Sequence, residues 1–557
     1  MSAKAGVPAG RTCLIHVMYS SRKRRTARGI MTHPVEHPVT RIRFLALRLL
    51  FMVLLISAPL TGRAQSFEHA TRDRVMAVLP RLEEMARQIV DKDEVPGLSI
   101  AIVYRDEVVF LKGFGVREVG GGAPVDADTV FQLASLSKPL ASTVVAAIVG
   151  EAGTSWDARI ADIDPGFQLH EAYPTAQVTV RDLFCHRSGL PGGAGNELEE
   201  LGYGRDAILH RLRQVKPSSS FRSGYSYSNF GLTAGAVAAA AAIGMSWEDA
   251  AEAKLYKPLG MVSTSSRHAD FLARVNRATL HARHDGRWQA LARRDPDAQS
   301  PAGGVSSNAR DVAQWMRLHL GKGKYNGQQL IDADAIGQTH LPHMSLGRHP
   351  ITGSPVVYGL GWNLEYGRYG EVWGHAGAFS DGARTLVSLL PDEELGIAVL
   401  ANAFPTGVPE GLADTFFDLV MRGEATRDWS ADWGRLYDQL FGPAIEAAVK
   451  RYGTPPASPR PALPLSSYAG TYANPYVGQA VVAEKDGGLE IRLGPDGSRI
   501  VPLSHFDRDL FTYRPYAEMP AMLLAITFAI GPDGKAYQVE IEHLNDLGLG
   551  VLKRAGY

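Results

Sequence analysis

A proline-rich segment divides the chain into two parts with different secondary-structure patterns. Five prolines fall within residues 454–464, a density that is typical of an extended linker and unsuited to a helix interior or a central strand. The chain has 557 residues, which is enough for at least two domains. We therefore predict a larger domain at residues 65–445, a linker at 446–467 and a smaller domain at 468–557.

The larger part has strand patterns near both of its ends. Strand patterns that flank short polar turns predict two hairpins, at 98–112 and 383–401, and a single strand is predicted at 358–364. The intervening region, 131–341, is rich in helical patterns. This order predicts an α+β domain whose terminal strands share one antiparallel sheet.

The part after the linker carries strand and turn signals throughout. Asp-Gly turn signals recur at Asp486, Asp496 and Asp533. The strand candidates between and around these turns are 489–493, 523–530 and 536–541. We predict a small antiparallel barrel or curved sheet, with the tyrosines of residues 467–516 in its core.

The N-terminal region has the pattern of a secretory signal peptide. Basic residues such as Arg43 and Arg48 precede an apolar run at 49–59, and Ala64 completes a small-residue cleavage pattern. The run is shorter than the ~20 apolar residues that a membrane span needs. Residues 1–64 are therefore predicted to be a signal-peptide region that is cleaved near Ala64, leaving a periplasmic or secreted protein with no stable membrane span.

The length of this region suggests a second hypothesis about where translation begins. Signal peptides are usually ~15–30 residues long, and a start at Met31 would bring the length close to that range. Residues 1–30 would then not be translated.

The net charge of the chain after residue 64 bears on which kind of macromolecule it could bind. The first 64 residues hold 11 of the 58 Lys and Arg but one of the 58 Asp and Glu, so the remaining chain has a net charge of about −10. An acidic body argues against nucleic acid as the main partner.

The chain has two cysteines, and Cys13 would be removed with the signal peptide. We therefore predict that Cys185 forms no disulfide and is a buried apolar residue. With no CxxC or HExxH pattern, no metal and no other cofactor are expected.

The first candidate catalytic motif is an SxxK pattern formed by Ser135 and Lys138, placed where a helix is expected to begin. Lys138 would then lie one turn from Ser135 on the same face. A serine hydroxyl needs a base beside it, and a lysine amine with a depressed pKa can be that base. The pattern also occurs at Ser20, so taken alone it is better explained as a helix start with a surface lysine.

The second candidate motif is the YxN pattern of Tyr227 and Asn229. A tyrosine can relay a proton, and an asparagine can bind a substrate amide and orient the lysine. The same pattern at Tyr472 lies in the predicted barrel, where a turn between strands is the better interpretation.

The third candidate motif is the HxG pattern of His375 and Gly377, ahead of a strand pattern. Gly377 would leave room for a substrate backbone beside the strand. The N–H of Ala378, together with that of Ser135, would donate to an oxyanion. In isolation His375 is as well explained as a hydrogen-bonded strand histidine, and His284 shows that HxG also arises by chance.

In this order, the three motifs make the chain resemble the penicillin-recognising serine hydrolases of the class C β-lactamase type. That group includes D,D-carboxypeptidases, D-aminopeptidases and family VIII esterases. The resemblance extends over about residues 95–402 and includes the segments 95–99, 186–191 and 300–304. It implies a β-lactamase/transpeptidase-like fold, an antiparallel sheet flanked by helices, and the C-terminal part resembles a lipocalin-like domain.

The resemblance also implies roles for the motif residues. Ser135 would be the acylated nucleophile, Lys138 its base partner, Tyr227 the proton relay and Asn229 a ligand of the substrate amide. His375 stands where the family has the lysine of a KTG motif, which helps to hold a substrate carboxylate. Because that cation is replaced, we expect poor recognition of β-lactams and C-terminal carboxylates.

The expected function is that of a secreted serine hydrolase that cleaves amide bonds of short or unusual peptides through an acyl-enzyme on Ser135. A carboxylesterase or weak β-lactamase with the same site is the alternative, and a non-catalytic peptide- or ligand-binding protein is a further one. The expected partner is a small peptide or ester, and the sequence leaves open whether the chain forms a homo-oligomer.

A triad built on Asp182 and His186 is disfavoured because no GxSxG elbow occurs. His186 and Arg187 are instead expected to shape a loop bordering the site.

Overall fold

The computed structural model describes residues 69–284, 286–290, 294–515 and 523–556. The predicted signal-peptide region, the alternative start at Met31 and Cys13 lie outside these residues. Within the described ranges, no helix combines the length and apolar character needed to cross a membrane.

An eight-stranded antiparallel sheet forms the centre of the larger domain. Its strands are β1 (Gly97–Tyr104), β2 (Glu107–Gly115), β3 (Met344–Arg348), β4 (Pro355–Tyr358), β5 (Asn363–Gly367), β6 (Gly370–Phe379), β7 (Ala383–Leu390) and β8 (Leu395–Ala401). Their order across the sheet is β2-β1-β8-β7-β6-β5-β4-β3. Leu98 of β1 pairs with Ala401 of β8, so the terminal strands are neighbours. The predicted α+β class and shared sheet are confirmed.

Both predicted hairpins are present, as β1–β2 and β7–β8. The single strand predicted at 358–364 is wrong, because the chain turns between Tyr358 and Asn363. Gly361 in this turn has φ +80°, and an added Cβ would lie 2.9 Å from the carbonyl oxygen of Lys138. Both the left-handed backbone and the close approach require glycine here.

Helices cover both faces of the sheet, and β1 is consequently buried along its whole length. The helices are α1 (Arg72–Asp91), α2 (Ser137–Gly150), α3 (Ile160–Ile163), α4 (Ala172–Gln177), α5 (Val180–Phe184), α6 (Asn196–Glu200), α7 (Arg205–Arg211), α8 (Asn229–Ala241), α9 (Trp247–Ala251), α10 (His268–Ala273), α11 (Ala309–Leu320), α12 (Ala333–Gly337), α13 (Val408–Arg422) and α14 (Trp429–Tyr452). On one face, Ile100 belongs to a core with residues of α1 and α13. On the other face, Ala101 belongs to a core with residues of α2, α8 and α11.

The C-terminal part is a closed eight-stranded antiparallel barrel, which confirms the predicted all-β barrel. Its strands are β9 (Gly470–Asn474), β10 (Gly478–Lys485), β11 (Gly488–Leu493), β12 (Arg499–Asp507), β13 (Leu510–Tyr513), β14 (Leu524–Ile530), β15 (Ala536–Ile541) and β16 (Val551–Arg554). Tyr468 and Tyr472 are buried in its core, as expected. Tyr476 is also buried, but its hydroxyl reaches the larger domain. Helix α14 ends at Tyr452, beyond the domain limit at 445 that the sequence predicts.

Candidate active site

Ser135 lies in a short 3-10 turn, Ala134–Leu136, directly before helix α2. The helix begins at Ser137, slightly later than the sequence suggests. Ala134 has φ +49°, a left-handed conformation that costs a non-glycine residue on the order of 1 kcal/mol or more. The hydroxyl of Ser137 holds the turn in place, donating to Ala134 O at 2.7 Å and accepting from Val305 N–H at 3.0 Å. A strained turn of this kind leaves Ser135 partly exposed while its neighbours are buried.

Lys138 is fully buried beside Ser135. Its Nζ lies 2.9 Å from Ser135 Oγ, and it donates to Asn229 Oδ1 and to the carbonyl oxygen of Ala302, each at 2.8 Å. Burial lowers the pKa of Lys138 well below its ordinary value of 10.5. The surroundings therefore favour the neutral amine, which is the form that can accept a proton.

The YxN residues meet the same lysine from the N-terminal end of helix α8. Asn229 is the first residue of that helix, and its Nδ2 donates to Asn196 Oδ1 at 3.2 Å. The ring centroid of Tyr227 lies 4.5 Å from Lys138 Nζ and 6.4 Å from the ring of His375. The structure thus brings the residues of all three sequence motifs to one place.

The loop at His186 and Arg187 borders this site, as the sequence predicts. The carbonyl oxygen of His186 accepts from Ser226 N–H, and its Nδ1 accepts from Ser228 N–H at 3.1 Å. These bonds fix the backbone on both sides of Tyr227.

Asp182 anchors that loop from beneath. The carboxylate is completely buried and accepts from Arg187 Nε and Arg222 Nη2, each at 2.6 Å. Burial acts to raise the pKa of Asp182, but the hydrogen bonds from the two arginines outweigh it and lower the pKa. Asp182 therefore acts as a charged anchor of the loop, consistent with the rejection of a triad.

His375 lies within strand β6 and is held as a neutral ring. Its Nδ1 is 2.8 Å from the carbonyl oxygen of Ala376, which assigns the ring proton to Nδ1. Nε2 is then the acceptor for the hydroxyl of Tyr358, 3.2 Å away. Burial lowers the pKa of His375 to about 3.

Gly377 is required by the chain's own backbone rather than by a substrate. A Cβ at this position would lie 2.0 Å from the carbonyl oxygen of Leu133, 2.5 Å from Thr385 Oγ1 and 2.9 Å from the amide nitrogen of Leu136. The expectation that the missing side chain makes room for a substrate backbone is therefore wrong for Gly377. What the glycine permits is close packing of β6, including Ala378, against the turn that carries Ser135.

Three residues of the site were not recognised from the sequence. Ala302 contributes a backbone oxygen, which no residue type signals, although the segment 300–304 is part of the resemblance. Tyr358 and Asn196 are single polar residues outside any motif. Among the described residues, no group of three or more His, Cys, Asp or Glu side chains is placed to hold a metal ion.

Cys185 lies outside this hydrogen-bonded network. It is fully buried, and desolvation raises the pKa of its thiol to about 12. This confirms its expected role as a small apolar core residue.

Comparison with family models decides the classification. The model described as Beta-lactamase matches residues 82–420, which is more than half of the chain. The chain belongs to the beta-lactamase family. It is a serine hydrolase, as the members of that family are. A second model, described as a domain of unknown function, matches residues 454–549 in the barrel part.

Individual relatives place the chain among hydrolases of the same family. The unguisins hydrolase of Aspergillus campestris is 24% identical over 82% of this chain and 88% of its own length. The D-alanyl-D-alanine-carboxypeptidase/endopeptidase AmpH of Escherichia coli K12 is 24% identical over 67% of this chain and 95% of its own. The structure of the octameric penicillin-binding protein homologue from Pyrococcus abyssi, 19% identical, superimposes with a TM-score of 0.52 over 85% of this chain and 100% of that one. This last likeness shows a shared fold.

Proposed function

We propose that this chain is a secreted serine hydrolase that cleaves amide bonds of short or unusual peptides through an acyl-enzyme on Ser135. The observation that carries the proposal is the buried Lys138, whose Nζ lies 2.9 Å from Ser135 Oγ and whose pKa is lowered by burial. A serine with a neutral amine at hydrogen-bond distance is an activated nucleophile.

The partners of Lys138 fit this role when the amine is neutral. A neutral amine has two N–H groups and one lone pair, and two acceptors, Asn229 Oδ1 and Ala302 O, take the N–H groups. The lone pair then faces the hydroxyl of Ser135 and accepts its proton. As that O–H bond breaks, Oγ bonds to the substrate carbonyl carbon, and the carbonyl oxygen becomes an oxyanion that the N–H groups of Ser135 and Ala378 stabilise.

The acyl-enzyme then forms and breaks down by further proton transfers through the same residues. The proton held by Lys138 passes to the leaving amine with Tyr227 as relay, and the carbon–nitrogen bond breaks. Water next attacks the ester on Ser135, losing its proton to the same pair of residues. The acid leaves, and Ser135 regains its hydroxyl proton.

The substrate preference follows from His375. This ring is neutral near pH 7 and already bonded to Tyr358, so it offers no permanent charge to a substrate carboxylate. We propose that the enzyme favours peptides without a free carboxylate next to the scissile bond. The relative AmpH, named as both a carboxypeptidase and an endopeptidase, supports peptide bonds as the substrate class.

Two properties of the whole protein belong to the proposal. The basic flank, apolar run and small-residue site within residues 41–64 support export to the periplasm or the medium. The octameric homologue supports a homo-oligomer, which sedimentation of the purified protein would measure.

A set of matched substrates tests the proposed specificity. One short acyl-peptide is prepared with a free C-terminal carboxylate, with a C-terminal amide and as the corresponding ester, each with a D- or an L-residue before the scissile bond. We expect kcat/KM for the amidated peptide to equal or exceed that for the free acid. Faster cleavage of the free acid would contradict the role given to His375, and hydrolysis of the ester alone would favour a carboxylesterase.

A further inference from the structure

The barrel touches the larger domain at a short segment beside the active site. Tyr476, in the turn between β9 and β10, accepts a hydrogen bond from Gly195 N–H at 2.9 Å and donates one to Glu197 Oε1 at 2.5 Å. The tyrosine is 1% exposed. One hydroxyl of the barrel therefore fixes the residues on both sides of Asn196.

Asn196 connects this contact to the catalytic lysine. Its Oδ1 accepts from Asn229 Nδ2 at 3.2 Å, and Asn229 Oδ1 in turn accepts from Lys138 Nζ at 2.8 Å. An unbroken series of contacts thus extends from Tyr476 through the segment 195–197 to Asn229, Lys138 and Ser135.

Other groups hold helix α6, which contains Asn196, from two further sides. Glu200 Oε2 is paired with His543 of the barrel at 2.5 Å. Glu199 Oε2 is paired with the buried Arg294 of the larger domain at 2.7 Å and also accepts from Gln299 Nε2. These ion pairs fix the end of the helix, whereas Tyr476 fixes its beginning, where Asn196 lies.

The orientation of the Asn229 amide explains why the position of Asn196 matters. A side-chain amide has a donor end and an acceptor end, and a flip exchanges them. With the acceptor of Asn196 beside Nδ2, the amide presents Oδ1 to Lys138. Without that acceptor, the flipped amide would place N–H groups against the amine of Lys138, and the lysine would lose a partner.

We propose that Tyr476 of the C-terminal barrel is a positioning residue for the active site, which holds Asn196 against Asn229 and so aims the Asn229 oxygen at Lys138. The inference rests on the proposed function of Ser135 and Lys138. It makes the barrel a part of the catalytic architecture, because the larger domain alone lacks this hydroxyl.

The surroundings of Tyr476 leave little room for a substitute. Burial raises the pKa of Glu197 to about 7, and the hydrogen bond from Tyr476 acts against this rise. His543 also favours the ionised form of Glu197, and Glu200 disfavours it. Since Tyr476 is itself buried, loss of its hydroxyl takes a hydrogen-bond partner from both Gly195 N–H and Glu197 Oε1.

The test measures the second-order rate at which a fluorophosphonate modifies Ser135 in the full protein, where Oγ bonds to phosphorus and fluoride leaves. Tyr476→Phe removes the hydrogen bonds to Gly195 N–H and Glu197 Oε1 and is expected to slow labelling roughly 3- to 10-fold in a protein that remains folded. Tyr203→Phe is the matched control. Its hydroxyl donates to Val477 O at 2.8 Å across the same interface, without touching residues 195–197, and this variant should label like wild type.

A double-mutant cycle with Asn196→Ala separates positioning from general loosening. If Tyr476 acts through Asn196, the double variant labels no more slowly than Asn196→Ala alone. Labelling of Tyr476→Phe at the wild-type rate, an equal loss in Tyr203→Phe, or a double variant that shows the product of both losses would each overturn the inference. Asn196→Ala, at a partly exposed position, keeps the test available if Tyr476→Phe does not fold.

Hydrogen exchange gives a readout that does not depend on the chemistry of Ser135. Tyr476→Phe is expected to exchange faster than wild type in residues 195–200 and at the start of helix α8, and Tyr203→Phe is not. Unchanged protection at the start of α8 would overturn the inference even if wild type reacted with no probe. Failure of wild type to react would itself count against the proposed function.

Discussion

Replacing Lys138 with methionine is expected to lower kcat/KM roughly 100- to 10,000-fold, the usual contribution of a positioned general base. Methionine keeps an unbranched side chain of similar reach but removes the amine that lies 2.9 Å from Ser135 Oγ. Steady-state kinetics on the best amide substrate measures the loss. Activity within about 10-fold of wild type in a folded Lys138→Met variant would exclude the lysine as the base.

The pKa of Lys138 also predicts the direction in which kcat/KM changes with pH. Because the pKa of Lys138 is well below 10.5, the amine becomes neutral at a lower pH than a lysine in water. We expect kcat/KM to fall as the pH is lowered through that pKa, since the lysine gains a proton and can no longer act as a base. The Lys138→Met variant should lack this acid limb, while its melting temperature stays near that of wild type because a buried amine is costly to desolvate.

Gly377→Ala is expected to lower kcat/KM about 100-fold, the effect of a displacement of about 1 Å at a reacting centre. The new Cβ would meet the carbonyl oxygen of Leu133 at 2.0 Å and the amide nitrogen of Leu136 at 2.9 Å. Both are backbone atoms of the segment that carries Ser135, so either β6 or that segment must shift. Overpacking of this kind also lowers the free energy of unfolding, by about 1–3 kcal/mol.

Gly374→Ala, on the same strand, is the control for this substitution. Its Cβ would approach the carbonyl oxygen of Val387 at 3.1 Å, a tight contact that a small adjustment relieves. Activity close to wild type is expected for this variant, and the two proteins are compared by kcat/KM and by denaturant unfolding. Equal activity of both variants would contradict the close packing of β6 against the turn that carries Ser135.

The parts of the site that could be predicted from the sequence are those in which function depends on local spacing. Ser135 and Lys138 are separated by one helical turn, so a pattern of four residues contains their geometry. The two hairpins were equally local, since each polar turn lies between two strand patterns. The prediction of one strand at 358–364 is wrong because the apolar residues there give no signal of the turn that Gly361 makes possible.

The parts that could not be predicted depend on contacts between distant segments. The backbone that requires Gly377 belongs to Leu133, and the acceptor for Asn229 belongs to Asn196. Neither contact leaves a periodic pattern in the sequence. Tyr476 is one of the tyrosines of residues 467–516 that the sequence predicts in the barrel core, but it lies in a turn and its hydroxyl bonds to the larger domain.

The central claim is that Ser135 is the nucleophile that bonds covalently to the substrate, and intact mass after treatment with a fluorophosphonate, which forms a phosphonate ester on such a serine, tests it most directly. The protein and its Ser135→Ala variant are treated side by side, and peptide mapping locates the modification. The account predicts one adduct on the wild-type protein, at Ser135, and none on the variant. An adduct that persists in Ser135→Ala, or a folded wild-type protein that gains no mass, would contradict it.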